Sequence, residues 1–194
     1  MDEQDLVRKV QAGDQDAFAE IVRLYKDRIV NYLAQFTGDY QKAVDLSQET
    51  FIRVYFKAKK YKPVAPFSSW IYAIASNLAK TELKRSSRRN TVSLEDVTSQ
   101  FDSGIYSKDR PDTGLIKNLR SALDDLHPRY RIPVILKDIE GFSQEEIAKI
   151  LKKPVGTVKA RISRGRGYLK RELEKALHVR GEGAALKGES HGRA

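Results

Sequence analysis

Apolar side chains recur at intervals of three and four residues along most of this chain, and this periodicity is the feature that most limits its fold. One stretch shows it clearly, with eight members: Phe18, Ile21, Val22, Tyr25, Ile29, Tyr32, Leu33 and Phe36. The spacing places these side chains on one face of a helix, because an α-helix turns once every ~3.6 residues. No segment shows the sustained alternation that is typical of a half-buried strand. The sequence therefore predicts an all-α fold.

The first part of the chain contains three predicted helices. Asp14 suits the N-cap of the first helix, and Gly38 suits its end. The second helix begins near residue 39 and continues through AVDLSQETFIRVYFKAKKY, after which the two prolines of KPVAPF break it. The third helix is predicted over Ser68–Ser86 and ends in the basic run KTELKRSSRR. We expect residues 1–89 to form one small helical domain.

The periodicity disappears over residues 90–114, which are rich in Ser, Thr, Asp and Gly. A flexible linker is one interpretation. The other is that its isolated apolar residues dock on a partner, and these are Leu94, Val97, Phe101, Ile105 and Tyr106. Helical periodicity then returns over residues 115–177, which we expect to form a second domain. The glycine-rich, basic residues 178–194 are predicted to be a disordered tail.

The second domain contains a helix-turn-helix pattern. Ser143 is followed three residues later by Glu146, which predicts a capping box at the start of a short amphipathic helix. The segment KKPVGT supplies a turn, and Thr157 or a neighbour begins another helix. Two helices joined by a tight turn, the second of them basic, are typical of a DNA-binding motif whose second helix lies in the major groove.

The second helix of this motif carries a one-sided charge. Between Lys152 and Arg171 there are eight basic residues and no acidic one. Each phosphate contact by a basic side chain releases counterions and adds affinity, whereas side chains near the helix start contact base edges. A merely solvated basic face is the alternative. The two glycines at 165 and 167 argue against it, because glycine is costly in a helix without a special role.

The charge distribution also separates the two parts of the chain. The formal net charge is +10, yet residues 1–50 contain ten acidic and six basic residues. The remainder is therefore strongly basic, which favours a polyanionic partner for that part.

Several classes of protein are excluded by what the sequence lacks. The chain has no cysteine, which rules out disulfides and thiolate metal sites. Its N-terminus is polar, and no apolar span of membrane-crossing length follows, so we expect a cytoplasmic protein without membrane insertion. The three histidines are too scattered for a metal site, and the segment GAALKGES has Glu189 where a phosphate-binding loop needs lysine. We expect no cofactor, no metal and no enzymatic activity.

Four motifs, in order along residues 5–177, resemble those of bacterial sigma factors of the extracytoplasmic function (ECF) type, in the sigma-70 family. GDQDAFAEIVRLY looks like the opening of the family's region 2, AVDLSQETFIRVY like its polymerase-binding helix, and PFSSWIYAIASNLAKTELKR like its promoter-melting segment. The segment from LHPRYRIPVILKDIEGFSQEEIAKI through LKKPVGTVKARISRGRGYLK looks like its region 4. The resemblance implies that residues 1–89 are region 2, residues 90–114 a linker and residues 115–177 region 4.

The resemblance also implies partners. Core RNA polymerase would be bound through the clamp of its largest subunit and the flap of its second-largest subunit. The family's polymerase-binding motif places the clamp contact on four residues of the second helix, namely Asp45, Gln48, Glu49 and Arg53. An anti-sigma factor that masks both domains is a further expected partner.

Promoter DNA is the third implied partner, with one contact surface in each domain. The downstream (−10) element would be opened and held by Lys62, Phe67, Ser68, Asn77, Lys80, Lys84 and Arg85. The upstream (−35) element would be bound by Thr157, Lys159, Ala160, Arg161, Ser163, Arg164 and Arg166. Arg161, Arg164 and Arg166 are better placed for phosphates than for bases. The family more often has serine at position 160 and a bulkier residue at 163, so promoter specificity does not transfer from relatives.

Two functions remain open at this point. The first is an alternative sigma factor that directs core polymerase to the promoters of a specialised regulon. The second is a stand-alone helix-turn-helix regulator whose N-terminal domain senses a signal or dimerises. Dependence on core polymerase distinguishes them.

Overall fold

The computed structural model describes the backbone of residues 3–90 and 114–188, and the side chains of residues 3–86 and 114–177. These ranges contain eight α-helices and no strand, which confirms the all-α prediction. The N-terminal half holds α1 (Glu3–Gln11), α2 (Gln15–Thr37), α3 (Tyr40–Lys57), a 3₁₀ turn (Ala58–Lys60) and α4 (Phe67–Asn90). The C-terminal half holds α5 (Gly114–Asp125), α6 (Pro128–Asp138), α7 (Gln144–Leu151) and α8 (Val155–Gly188).

Local capping signals set the helix ends where the sequence predicted them. The Asp14 carboxylate accepts from the Ala17 amide at 3.0 Å and caps α2, and Gly38 ends that helix in the left-handed conformation with φ of 67°. Ser143 and Glu146 form the predicted capping box at α7, in which the Glu146 carboxylate accepts from the Ser143 amide at 2.8 Å. These groups satisfy backbone donors that the first helical turn leaves unpaired.

Two helical segments differ from the sequence interpretation. Helix α1 was not predicted, because its three buried residues, Leu6, Val7 and Val10, are too few to define a period. Helix α8 continues to Gly188, and the sequence has no proline after Pro154 to break it. Disorder of residues 178–194 stays a prediction. Residues 189–194, like residues 91–113 of the expected linker, lie outside the described residues.

The core of the N-terminal half is aromatic. Tyr32 is fully buried and packs edge-on against Tyr72 of α4, with 5.0 Å between ring centroids. Its hydroxyl shares a hydrogen bond of 2.7 Å with the Ser76 hydroxyl, so the buried polar atom is satisfied. Helices α2, α3 and α4 all pack against one another, and α1 packs mainly against α2.

In the C-terminal half, α8 approaches α6 closely at a glycine. A Cβ atom added at Gly165 would lie 2.6 Å from a methyl group of Val134, which is itself buried. A Cβ at Gly167 would meet nothing within 4 Å. The argument that both glycines have a special role therefore holds for Gly165 alone: it permits helix packing, and nothing in the structure explains Gly167.

The two halves pack against each other, which the sequence did not predict. Tyr72 of α4 packs edge-on against Phe142, which precedes α7, with 4.8 Å between centroids, and its hydroxyl donates to the Glu140 carboxylate. Arg131 of α6 lies over the Phe36 ring and donates to the Gln35 carbonyl at the end of α2. One continuous hydrophobic cluster spans both halves.

Candidate polymerase and nucleic-acid interfaces

Helix α3 presents the predicted polymerase-binding residues on its outer face. Asp45 and Gln48 are exposed, and Glu49 and Arg53 are about two-fifths exposed. The Arg53 guanidinium donates to the Glu49 carboxylate at 2.7 Å, one helical turn away. An exposed pair of this kind adds little stability, so both groups remain available to a partner at low cost.

The same helix exposes apolar side chains that the sequence interpretation missed. Ile52 is 51% exposed and Phe56 is 77% exposed. Gln48, Ile52 and Phe56 follow each other at four-residue spacing, so they form one stripe along α3. The four-residue spacing could have revealed the stripe. However, α3 has apolar residues on more than one face, and the sequence does not indicate which face packs inward. An exposed stripe of large apolar side chains beside the carboxylates of Asp45 and Glu49 is typical of a protein-binding surface.

The loop between α3 and α4 is held by aromatic residues at its base. The Tyr61 hydroxyl donates to the Ala65 carbonyl at 2.7 Å, which closes the loop across its width. Phe67 is only 3% exposed, and its ring packs against Tyr61 at 5.3 Å and Trp70 at 5.4 Å. In this structure Phe67 therefore supports the loop from beneath, whereas Lys62 is exposed at its surface.

The basic face of α4 differs along its length. Ser68 lies partly buried in the first turn, and Asn77 is exposed. Lys84 and Arg85 are also exposed. Lys80 alone among the predicted cations of this helix is half-buried, because the C-terminal half covers it.

Lys80 faces cations from the other half across a cleft of about 730 Å³. The cleft brings Lys80 and Lys84 of α4 together with Lys153 and Arg161. Burial lowers the pKa of Lys80, and the charges of Lys153, Arg161 and Lys84 lower it further. Within the described part of the chain none of the four pairs with a carboxylate. An anion in this cleft would offset their mutual repulsion.

The helix-turn-helix displays most of the predicted upstream-element residues to solvent. Lys152 ends α7 with φ of 51°, and α8 begins at Val155, so that Thr157 lies in its first turn. Val158 and Ile162 are buried and fix the rotation of the helix. The exposed face that results carries five of the predicted residues, namely Lys159, Ala160, Ser163, Arg164 and Arg166, whereas Thr157 and Arg161 are partly buried.

Arg166, which the sequence assigned to DNA, has an acidic partner within the protein. Its guanidinium donates to the Asp138 carboxylate of α6, with 3.0 Å between Nε and Oδ2. The hydrogen bonds and charge of Asp138 raise the pKa of Arg166. Part of the positive charge of Arg166 is therefore already neutralised, unlike that of Arg164.

Two general features of the described residues bear on function. None of the described helices combines the length and apolarity needed to cross a lipid bilayer. Within the same ranges no three His, Asp or Glu side chains cluster as a metal site would require.

Comparison with known proteins adds to this geometry. The family model "Sigma-70 region 2" matches residues 21–89, and "Sigma-70, region 4" matches residues 116–169. The ECF RNA polymerase sigma factor SigW of Bacillus subtilis is 34% identical over 176 residues, which cover 86% of this chain and 94% of SigW. The RNA polymerase sigma-H factor of Pseudomonas aeruginosa is 32% identical over 184 residues, which cover 90% of this chain and 95% of that protein.

Solved structures support the fold. The structure of CnrH in complex with the cytosolic domain of CnrY has a TM-score of 0.68 and 22% identity, covering 89% of this chain and 97% of CnrH. The sigma factor RpoE of Bartonella quintana, in complex with the anti-sigma factor NepR, has a TM-score of 0.65 and 24% identity, covering 81% of this chain and 96% of that chain.

The two matched regions lie on the two helical halves, and the relatives align over nearly their whole length. A stand-alone regulator with an unrelated N-terminal sensing domain does not fit these matches. The chain belongs to the extracytoplasmic function sigma factors of the sigma-70 family, and it is an alternative sigma factor that directs RNA polymerase in transcription initiation.

Proposed function

We propose that this protein binds core polymerase through α3 and promoter DNA through two separate surfaces. The α3 stripe binds the clamp of the largest polymerase subunit, and region 4 binds the flap of the second-largest. The loop at 62–67 and the exposed face of α4 open and hold the −10 element, whereas the start of α8 binds the −35 element. The genes served are a specialised regulon.

The observation that carries this proposal is the contrast between two exposed helix faces, one of mixed charge on α3 and one purely basic at the start of α8. Asp45 is exposed on α3, where its carboxylate can steer the helix toward a basic partner. Lys159 and Arg164 are exposed on α8, and no acidic residue lies between Lys152 and Arg171. One face is therefore suited to a protein and the other to phosphates.

Strand opening needs groups that hold an unpaired base and its backbone. Unpairing a base costs a few kcal/mol, which hydrogen bonds and stacking must offset. Asn77 is exposed on α4 with its side-chain amide free to bond a base or sugar, and Lys84 and Arg85 follow it with exposed charges. This succession supports a role for α4 in holding the opened strand.

An inhibitory partner is part of the proposal. Two structural relatives were solved as complexes, one with the cytosolic domain of CnrY and the other with the anti-sigma factor NepR. We propose that an anti-sigma factor likewise binds this chain and keeps both DNA-binding surfaces from the promoter. Pull-down of the tagged chain from its host, with and without excess core polymerase, would reveal such a competitor.

The decisive experiment is transcription by core polymerase with and without the purified chain. We expect discrete start sites on genomic fragments only when both are present, preceded by a shared pair of sequence elements. The isolated chain is expected to bind duplex DNA weakly. Tight footprints of the chain alone on a palindromic site, with no co-purification with polymerase, would contradict the proposal.

A further inference from the structure

The last residue of α1 reaches across to the segment that leads into the loop at 62–67. The side-chain amide of Gln11 donates from one nitrogen to two backbone carbonyls, that of Ala58 at 3.0 Å and that of Tyr61 at 2.9 Å. Both acceptors are some fifty positions away along the chain. One amide group thus uses both of its hydrogens to tie α1 to the end of the 3₁₀ turn.

The two carbonyls lie where the chain leaves regular helix. Ala58 begins the 3₁₀ turn, and the Tyr61 amide donates to the Ala58 carbonyl at 3.0 Å. The Ala58 carbonyl therefore already has a backbone donor, and its bond from Gln11 is a second one. The Tyr61 carbonyl lies at the C-cap of the turn, where the chain leaves helical geometry, and it accepts from Gln11. Gln11 thus joins both carbonyls and fixes the direction in which residue 62 and its successors depart.

Tyr61 carries this constraint into the loop itself. Its carbonyl accepts from Gln11, while its hydroxyl donates to the Ala65 carbonyl at 2.7 Å. Its ring also packs on Phe67 and Trp70 at the start of α4. Gln11 therefore holds the base of the loop, and Tyr61 connects that base to the far side.

The loop so held encloses a cleft with α1. This cleft has a volume of about 660 Å³, ample for a single unstacked nucleobase, and Gln11 lies on its wall beside Val7 and Tyr61. Val64 at the loop tip is 80% exposed, so packing does not hold the tip in place. The shape of the cleft depends on how the loop leaves residue 61.

We propose that Gln11 is a positioning residue for promoter recognition: by bonding the carbonyls of Ala58 and Tyr61 it sets the loop geometry that selects a base of the −10 element. The inference rests on the proposed role of that loop in holding the −10 element. It adds that Gln11 of α1, which is distant from the loop in the sequence, influences which base the loop selects without itself contacting the opened strand.

Two substitutions isolate the hydrogen bonds from the space that the side chain fills. Gln11→Met keeps its length and removes both donors, and Gln11→Glu keeps its shape but turns a carboxylate toward two carbonyls. Gln15 provides the matched control, because it is exposed at the start of α2 and has no side-chain hydrogen bond within the described residues. Gln15→Met and Gln15→Glu change the same atoms at a place that cannot affect the loop.

The test presents a randomised single-stranded DNA pool to holoenzyme reconstituted from core polymerase and each variant, and sequences the bound fraction. Wild-type protein and both Gln15 variants are expected to enrich one short motif. Gln11→Met and Gln11→Glu are expected to lose about tenfold of the enrichment at the base or bases that the loop selects, as two missing hydrogen bonds would allow. Their affinity for core polymerase stays at the wild-type value.

A purely structural role for Gln11 predicts a different result. The thermal midpoint would fall, yet the enriched motif would stay the same at every position, and this outcome overturns the inference. Tyr61→Phe supplies a second test that keeps the ring and removes only the bond to Ala65. If both residues set one loop geometry, Tyr61→Phe relaxes the same base positions, and its effect does not add to that of Gln11→Met.

The same experiment separates this inference from the proposed function. If wild-type holoenzyme enriches no motif, the proposed −10 contact of the loop fails and the inference fails with it. If wild-type holoenzyme enriches a motif that depends on Asn77 but not on Gln11 or Tyr61, the proposed function stands and the inference alone is overturned.

Discussion

The two basic surfaces of this protein differ in how far the fold exposes them. At the start of α8, Lys159 and Arg164 are exposed and ready to meet a duplex. On α4, Lys80 is half-buried in a cleft whose opposite wall carries Lys153 and Arg161. Most of the proposed upstream-element residues are thus exposed, whereas Lys80 of the proposed downstream-element surface is partly covered by the other half of the chain.

We call the described arrangement, in which the two halves pack against each other, the closed form. The −10 and −35 elements lie about 25 base pairs apart, or ~85 Å along a duplex that rises ~3.4 Å per pair. Residues assigned to both elements, Lys80 and Arg161, line one cleft in this structure. If Lys80 and Arg161 contact the two elements as proposed, they cannot do so together from one cleft. The proposed function then requires the two halves to separate when both surfaces bind one promoter.

We expect the largest effect from a substitution that destabilises only the C-terminal half, which carries the proposed upstream-element surface. Gly165→Ala places a methyl group against the buried Val134, and we expect the C-terminal half to lose about 1–2 kcal/mol of stability even after the helix-propensity gain. Hydrogen exchange should show faster opening in α6 and α8 and no change in α2 and α3.

Gly167 supplies the control for that substitution. Gly167→Ala meets nothing within 4 Å and should instead stabilise α8 by about 1 kcal/mol, because alanine is the better helix former. Equal responses of the two glycines would show that the close approach of α6 and α8 is not the reason for Gly165.

The next prediction loosens the packing between the halves. Arg131 is 6% exposed, bonds to Asp124 and to the Gln35 carbonyl, and lies over Phe36. Arg131→Met keeps much of the apolar contact but removes the charged hydrogen bonds, and we expect it to shift the closed form toward an open one by about 1–2 kcal/mol. Energy transfer between dyes at K59C and K170C, in a chain without native cysteine, would report the change.

Arg23 offers the control for Arg131. It is exposed on α2, and within the described residues its guanidinium bonds to Glu20 of the same helix. Arg23→Met should leave the energy transfer unchanged. If Arg131→Met also leaves it unchanged, the Arg131 contacts do not hold the halves together.

A smaller effect follows from the buried carboxyl group at the junction. Burial raises the pKa of Glu140, although the Tyr72 hydroxyl and the charge of Arg28 act in the opposite direction. In the closed form the protonated group is favoured, so closing is helped at low pH and this help is lost as pH rises through the raised pKa. Lowering the pH from neutrality into the range where Glu140 takes up its proton should therefore increase the closed fraction modestly.

Substitution identifies the group responsible for that pH dependence. Glu140→Gln, which stays neutral and keeps an acceptor for Tyr72, should give a closed fraction that no longer changes over this range. Glu145→Gln, at an exposed position on α7, should behave like the wild type. A pH response that survives in Glu140→Gln belongs to another group.

The sequence predicts the helices and their ends because these depend on residues within a few positions of each other. The Ser143 capping box and the end of α2 at Gly38 are examples, since each is a local hydrogen-bonding or conformational requirement. The sequence did not predict the bond from Gln11 to Tyr61 or the edge-on packing of Tyr72 against Phe142. Such contacts join residues fifty or more positions apart, and no local spacing encodes them.

The predicted site residues also divide into those that local sequence patterns predict and those whose exposure depends on distant contacts. The exposed residues at the start of α8 follow from a helix whose buried stripe is visible in the sequence, so periodicity alone could place Lys159 and Arg164 outside. The burial of Lys80 depends on the other half of the chain and was not foreseen. The sequence therefore indicates which residue types each surface holds, and the packing decides which of them are free.

The smallest expected effect concerns two arginines of α8 for which the sequence predicts the same role. Arg164 is exposed without an acidic partner among the described residues, whereas Arg166 bonds to Asp138. A cation that contacts phosphate releases about one counterion, and a cation already paired with a carboxylate releases less. In holoenzyme binding to an upstream-element duplex, Arg164→Ala should reduce the slope of log affinity against log salt by about one, and Arg166→Ala by clearly less. Both should act equally on all upstream sequences, because phosphate contacts carry no base information. A change in base preference for Arg164→Ala would instead place its guanidinium on a base edge, and equal slopes for the two variants would mean that Asp138 releases Arg166 when DNA binds.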